Sequence, residues 1–180
     1  MSTITHRAGQ MKRLAVLQGE VKVSSNPNLE LTTVLGSCVA ICLYDETVQL
    51  GGMNHYLLST GGEAGGQEKK YGFYAFEYLL NGILKRGGSR MNLQGKVFGG
   101  ASIGGKFGNL GPLNAAFALE TLEREGIKCV AQELGGSQAR KLRFIPTTGE
   151  VKLMRITRNE APEIPAAKPR KVPTQSPEFF

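Results

Sequence analysis

Two side chains in this sequence could act together on a carbonyl carbon: Cys38 and His55, the latter one of only two histidines in 180 residues. A thiol beside an imidazole is the minimum equipment for nucleophilic attack on an acyl carbon, because the imidazole can take the thiol proton and return it to the leaving group. A protonated imidazole would also lower the thiol pKa and favour thiolate. Such a pair needs a group to orient the imidazole and donors for the oxyanion. Asp45 and Glu46 lie at the far end of the segment joining the two residues and are poorly placed as orienters. Hydroxyls are nearer: Thr32 and Thr33 just upstream, and Ser37 beside the thiol. Backbone amides of the Gly36-Ser37-Cys38 corner are the nearest candidates for the oxyanion.

The elements that must position this pair can be read from residue types. Residues 37–44 and 50–58 are apolar, rich in β-branched and aromatic types, and separated by Asp45-Glu46-Thr47-Val48-Gln49, which predicts a β-hairpin. With Glu46 and Thr47 as a two-residue turn, paired residue numbers sum to 93, and Cys38 faces His55 directly. A one-residue slip would put them on opposite faces.

Upstream, residues 12–24 read as one broken strand or a hairpin with Gln18-Gly19 as its turn, and residues 29–35 as a strand entering the Gly36 corner. Residues 59–70, rich in glycine, read as a mobile loop that could act as a lid. Apolar spacing predicts a helix over 71–86 ended by Gly87-Gly88, and a second from Pro112 to Glu125 ended by Gly126. Strands are expected at 96–98, 128–134, 140–145 and 151–156. Strand and helix do not alternate regularly, so the expected fold is α+β: a single-domain sandwich of mixed or antiparallel sheets with two main flanking helices. Its boundaries are read as a flexible N-terminus (1–11), one domain (12–158) and a disordered tail (159–180) holding five of the eight prolines.

Composition narrows the function. No apolar run approaches the roughly 18 residues of a membrane span, and the N-terminus lacks a signal peptide's apolar stretch, so a cytoplasmic protein without membrane insertion is expected. Three cysteines fit a reduced compartment, and Cys38 and Cys42 would stand about 13 Å apart along a strand, too far for a bridge. With no CxxC and no second histidine nearby, neither a metal nor another cofactor is expected. The net charge of +7 comes from scattered lysines and arginines without interleaved aromatics, which argues for an acidic protein partner over nucleic acid. Residues 100–107 match a P-loop except at the last position, where Phe107 replaces the hydroxyl that would hold Mg²⁺. The glycines there fit better as places of close backbone approach, forming a wall of the Cys38 site.

Four segments resemble one family. Thr32-Thr-Val-Leu-Gly-Ser-Cys38-Val-Ala-Ile-Cys-Leu-Tyr-Asp45, Gly52-Met-Asn-His55-Tyr-Leu-Leu58, Phe98-Gly-Gly-Ala-Ser102 and Leu134-Gly-Gly-Ser-Gln-Ala-Arg140 are similar to the CheD family of chemoreceptor glutamine deamidases, over about residues 14–156. The resemblance implies an α+β sandwich, and a hydrolase of amide C–N bonds that converts selected glutamines of methyl-accepting chemotaxis receptors to glutamate and ammonia, in some members with receptor methylesterase activity. By motif position it implies Cys38 as nucleophile, His55 as base, Thr32 as the third member, and oxyanion donors near Gly36 and Ser37. It implies the receptor cytoplasmic domain as substrate and a CheC-type phosphatase as a further partner. A non-catalytic adaptor regulating such a phosphatase is the other reading. The chain departs from the family at Leu113, where a basic residue is usual, and at Gly135-Gly136-Ser137.

Overall fold

The computed structural model describes residues 11–58, 67–103, 109–156 and 178–180. Among these described residues ten strands and two helices follow in the order β1 (Lys12–Ala15), β2 (Val21–Ser24), β3 (Leu29–Leu35), β4 (Val39–Asp45), β5 (Leu50–Tyr56), α1 (Gln67–Leu84), β6 (Gln94–Gly99), α2 (Leu110–Arg124), β7 (Lys128–Leu134), β8 (Arg140–Phe144), β9 (Val151–Arg155) and β10 (Glu178–Phe179). One sheet runs β1-β3-β8-β9, the other β10-β2-β5-β4-β6-β7. Pairs β1–β3, β2–β10 and β6–β7 are parallel and the rest antiparallel, so both sheets are mixed, as expected.

The six-stranded sheet is the middle layer, and that explains why β4 and β5 are buried along their whole length. Val39, Ile41 and Leu43 of β4 pack with Phe76, Leu79 and Ile83 of α1 and with Phe117 and Leu122 of α2. Cys38, Ala40, Cys42 and Tyr44 point the other way, into a second core against Leu31 and Leu35 of β3 and Leu142 and Phe144 of β8. A strand covered on both faces reads as a continuous apolar run, which is what residues 37–44 are. Truncating a fully buried core residue such as Leu79 or Phe144 removes roughly 2–5 kcal/mol of stability.

Several expectations are corrected. Residues 12–24 are neither one strand nor a hairpin: β1 joins the four-stranded sheet beside β3, and β2 joins the six-stranded sheet beside β5. The chain changes sheet at Gly19, whose φ of +86° lies in the left-handed region. Helix α1 begins at Gln67, so the segment expected as a loop over 59–70 is helical from residue 67 onward. Residues 59–66 lie outside the described residues, as do Lys106 and Phe107 of the P-loop-like segment. Most of the expected tail, residues 159–177, is likewise outside them, together with residues 157–158. Residues 178–180, expected within the disordered tail, instead line the open edge of β2. There Phe180 N–H bonds Val23 O at 3.1 Å, and the Phe179 ring sits 4.5 Å below the Arg86 guanidinium. An edge strand offers unpaired backbone groups that such a segment can satisfy.

Candidate active site

The β4–β5 hairpin has a longer loop than a two-residue turn. Residues 46–49 form it, with Thr47 N–H bonded to Asp45 Oδ1 at 3.0 Å and Gln49 at a φ of +51°. Paired residue numbers therefore sum to 95, not 93, and His55 faces Ala40. The slip is two residues, which preserves the face. Cys38, immediately before β4, remains on the side of the sheet that His55 occupies, as its diagonal neighbour roughly 7 Å away at Cβ.

His55 is buried, and its ring is fixed from one side. Nδ1 lies 2.9 Å from Thr33 Oγ1 and 3.2 Å from Val16 O, while Thr33 Oγ1 donates to Val16 O at 2.8 Å. A carbonyl only accepts, and the threonine proton is committed to that carbonyl, so Nδ1 carries the ring proton. Nε2 is left with its lone pair, buried and without a hydrogen-bond partner among the described residues. That lone pair lies on the side of the sheet that carries the thiol.

The orienting hydroxyl belongs to Thr33, and Thr32 is not brought to His55. Alternation along β3 decides this: Leu31, Thr33 and Leu35 face the inter-sheet core, whereas Thr32 stands on the outer face with Arg143 as its cross-strand neighbour. Both threonines were candidates by type, and only the register of β3 separates them.

The corner before β4 is held by its carbonyls. Gly36 O accepts from Ala101 N at 2.9 Å, Ser37 O from Asn114 Nδ2 at 3.1 Å, and Cys38 O from Gly100 N at 2.8 Å. Gly99 and Gly100 adopt φ values of +116° and +67°, which lets their backbone run against Cys38. Gly99 and Gly100 thus form a wall of the thiol site, while Gly104 and Gly105 of the P-loop-like segment lie outside the described residues. Arg140 fixes that wall from behind, donating from Nη1 to Gly99 O at 2.9 Å and to Glu133 O at 2.7 Å, and from Nη2 to Gly135 O. Asn114, fully buried on α2, also accepts from Leu58 N–H at 2.8 Å and so ties the end of β5 to the corner before β4.

Burial governs the ionisation of the pair. It pushes the Cys38 thiol up to about 11, opposed by the backbone amides of Cys38 and Gly36, which point at the sulfur. It pushes the His55 imidazole down to about 4, opposed by the Val16 carbonyl and the charge of Glu20. The expected thiolate–imidazolium pair is therefore not the resting form; thiol and neutral imidazole are. Of the two expected oxyanion positions, Gly36 presents its amide to the sulfur together with that of Cys38, and Ser37 contributes its anchored carbonyl.

Sequence reasoning missed residues 16–20 as part of the site. Val16 O orients His55; Gln18 Oε1 accepts from the Cys38 thiol at 3.4 Å; Gly19 N bonds His55 O at 2.7 Å; and His55 N bonds Glu20 O at 3.1 Å. Only the glycine of Gln18-Gly19 signalled a special backbone there, and it signalled a turn. Cys42 is fully buried in the inter-sheet core with its thiol pushed above the usual range, which leaves Cys38 as the cysteine at the site.

By its geometry this is a site of the thiol–imidazole class, set between two mixed sheets. The family model described as CheD chemotactic sensory transduction matches residues 58–155. The chain is 43% identical over 175 residues to the "Probable chemoreceptor glutamine deamidase CheD" of Agrobacterium fabrum, covering 94% of this chain and 97% of that one. A protein of the same description from Rhizobium leguminosarum bv. trifolii is 44% identical over 181 residues, covering 96% and 98%. The chain belongs to the CheD family. Among solved structures, Neisseria meningitidis protein NMB0706 covers 66% of this chain and 52% of its own at 12% identity and a TM-score of 0.40, too loose to bear on function.

Proposed function

We propose that this protein deamidates selected glutamines on the cytoplasmic part of methyl-accepting chemotaxis receptors. The observation that carries the proposal is the imidazole held by Val16 O and Thr33, with Nε2 unpartnered on the side of the sheet that carries Cys38. Burial keeps the Cys38 thiol protonated at neutral pH, so proton transfer to Nε2 accompanies attack. Sγ bonds to the glutamine Cδ, the carbonyl electron pair moves onto oxygen, and the amides of Cys38 and Gly36 receive that charge. His55 returns the proton to the departing nitrogen, ammonia leaves, and a thioester remains. Water, deprotonated by His55, attacks the thioester carbon; the C–S bond breaks, glutamate is released, and His55 returns the proton to Sγ to regenerate the thiol. A glutamate methyl ester presents the same carbonyl with methanol as leaving group, and the same site is proposed to act on it.

A CheC-type phosphatase is the proposed second partner. Among the described residues no helix is long and apolar enough to cross a membrane, so the enzyme meets its receptor from outside the bilayer in this proposal. The test incubates a receptor cytoplasmic fragment with wild type and with Cys38→Ala, following ammonia release and mapping Gln-to-Glu conversion by mass spectrometry. Conversion by wild type alone supports a deamidase. No conversion by wild type, with phosphatase binding unaffected by Cys38→Ala, supports the adaptor reading instead.

A further inference from the structure

Gln18 is the side chain hydrogen-bonded to the Cys38 sulfur among the described residues, at 3.4 Å, and the chemistry above leaves it without a part. Its backbone is fastened on both sides. Val16 O is engaged by Thr33 and His55, Gly19 N–H bonds His55 O, and Glu20 O accepts from His55 N–H. A Cβ at Gly19 would stand 2.7 Å from Tyr71 Oη, so the turn fits closely beneath α1. These ties hold the Gln18 backbone, and with it the reach of its carboxamide, at the nucleophile.

We propose that Gln18 is a catalytic residue: the side-chain donor that, with the backbone amides of Cys38 and Gly36, stabilises the oxyanion formed when Cys38 attacks its substrate. The proposal rests on the deamidase reading. In the resting site the thiol donates to Oε1. Once the proton has passed to His55 Nε2 and sulfur has bonded to the substrate carbon, the new anion sits on an oxygen one bond from that carbon, and Sγ has no proton to give. A half-turn of the Gln18 carboxamide exchanges Oε1 for Nε2 with almost no change of shape, and its N–H then points at negative charge. Gln18 gains and loses no proton; ammonia still leaves with the proton held by His55.

The test measures two reactions of the same cysteine in wild type, Gln18→Ala and the nearly isosteric Gln18→Glu, each checked for folding by circular dichroism. Deamidation of a receptor cytoplasmic fragment passes through an oxyanion, whereas alkylation of Cys38 by iodoacetamide does not. The expected result is a fall in kcat of about a hundredfold in Gln18→Ala with KM little changed, a larger fall in Gln18→Glu, and Cys38 alkylation at or above the wild-type rate. Unchanged or increased kcat in Gln18→Ala would overturn the proposal and make Gln18 a plug. Parallel loss of deamidation and alkylation would also overturn it, because Gln18 would then act on the thiol and not on the transition state. Absence of turnover in wild type itself removes the deamidase reading, and the proposal falls with it.

Discussion

Thr32 and Thr33 are chemically identical neighbours, yet alternation along β3 sends one hydroxyl to His55 and the other to the outer face of its sheet. Valine matches threonine in shape, so Thr33→Val removes the hydroxyl acceptor at Nδ1 and leaves Val16 O, at 3.2 Å, as the remaining anchor. Loss of one buried hydrogen bond predicts a fall in kcat of roughly tenfold, and Thr32→Val stays within about twofold, both measured on a receptor fragment. The imidazole also makes a stability prediction. Burial lowers the His55 pKa to about 4 in the folded protein from the ordinary 6.5, so between these values the unfolded chain binds the extra proton. Stability therefore falls as pH drops from 6.5 to 4, by about 3 kcal/mol at most. Thermal melts at pH 7 and 4.5 should show a larger loss in wild type than in His55→Gln. At this scale Cys38 and His55 could be read from residue type and motif. Thr33 and Gln18 could not, because the choice between adjacent hydroxyls depends on a facing, and the Gln18–Cys38 contact joins the turn before β2 to the corner before β4, twenty residues on.

Elements set the site through a few shared anchors. Asn114 on α2 joins the corner before β4 to the end of β5 and also bonds Leu110 O within its own helix. Tyr56 at the end of β5 donates its hydroxyl to Asn114 O at 2.7 Å and packs edge-on against Phe117, so the helix and hairpin are fixed to each other at the site. Asn114→Ala leaves Leu58 N–H and Ser37 O without partners in a buried place, which predicts about 2–4 kcal/mol of destabilisation in urea titrations and a lower kcat in the folded fraction. Helix periodicity and the glycines ending both helices were readable in the sequence; the start of α1 at Gln67 was not, because its first turn lies in a stretch that reads as loop. The hairpin itself was readable while its register was not. Asp45 caps residues 46–49 with its own side chain, and its other oxygen accepts from Ser89 N–H at 2.9 Å, a distant tie that no local turn rule includes.

Across the whole molecule, two sheets and one helical layer enclose two cores, and the thiol site lies at the edge of the inter-sheet core. The class α+β followed from the order of elements, but the division of β1 and β2 between sheets did not: strands of four residues carry too little pattern to name a partner far along the chain. The same holds for residues 178–180, whose place beside β2 depends on an open edge invisible in their own composition. The net charge of +7 belongs to this scale too. Electrostatic steering by this basic protein toward the proposed receptor substrate predicts that kcat/KM falls about tenfold between low and high salt while kcat holds, since screening affects encounter and not the buried chemistry. Steady-state kinetics at several ionic strengths reads this out; a kcat that falls in step with kcat/KM would place the salt effect elsewhere.

In the proposed reaction Cys38 attacks the receptor glutamine and holds it as a thioester. Acid quenching of wild type in the middle of turnover, followed by intact and peptide mass spectrometry, measures this most directly. The predicted result is a covalent adduct of the receptor fragment on Cys38, less the mass of ammonia, that forms and decays with glutamate production and is absent, together with conversion, in Cys38→Ala. Undiminished glutamate production by Cys38→Ala, or turnover by wild type with the receptor fragment attached at another residue, would contradict it.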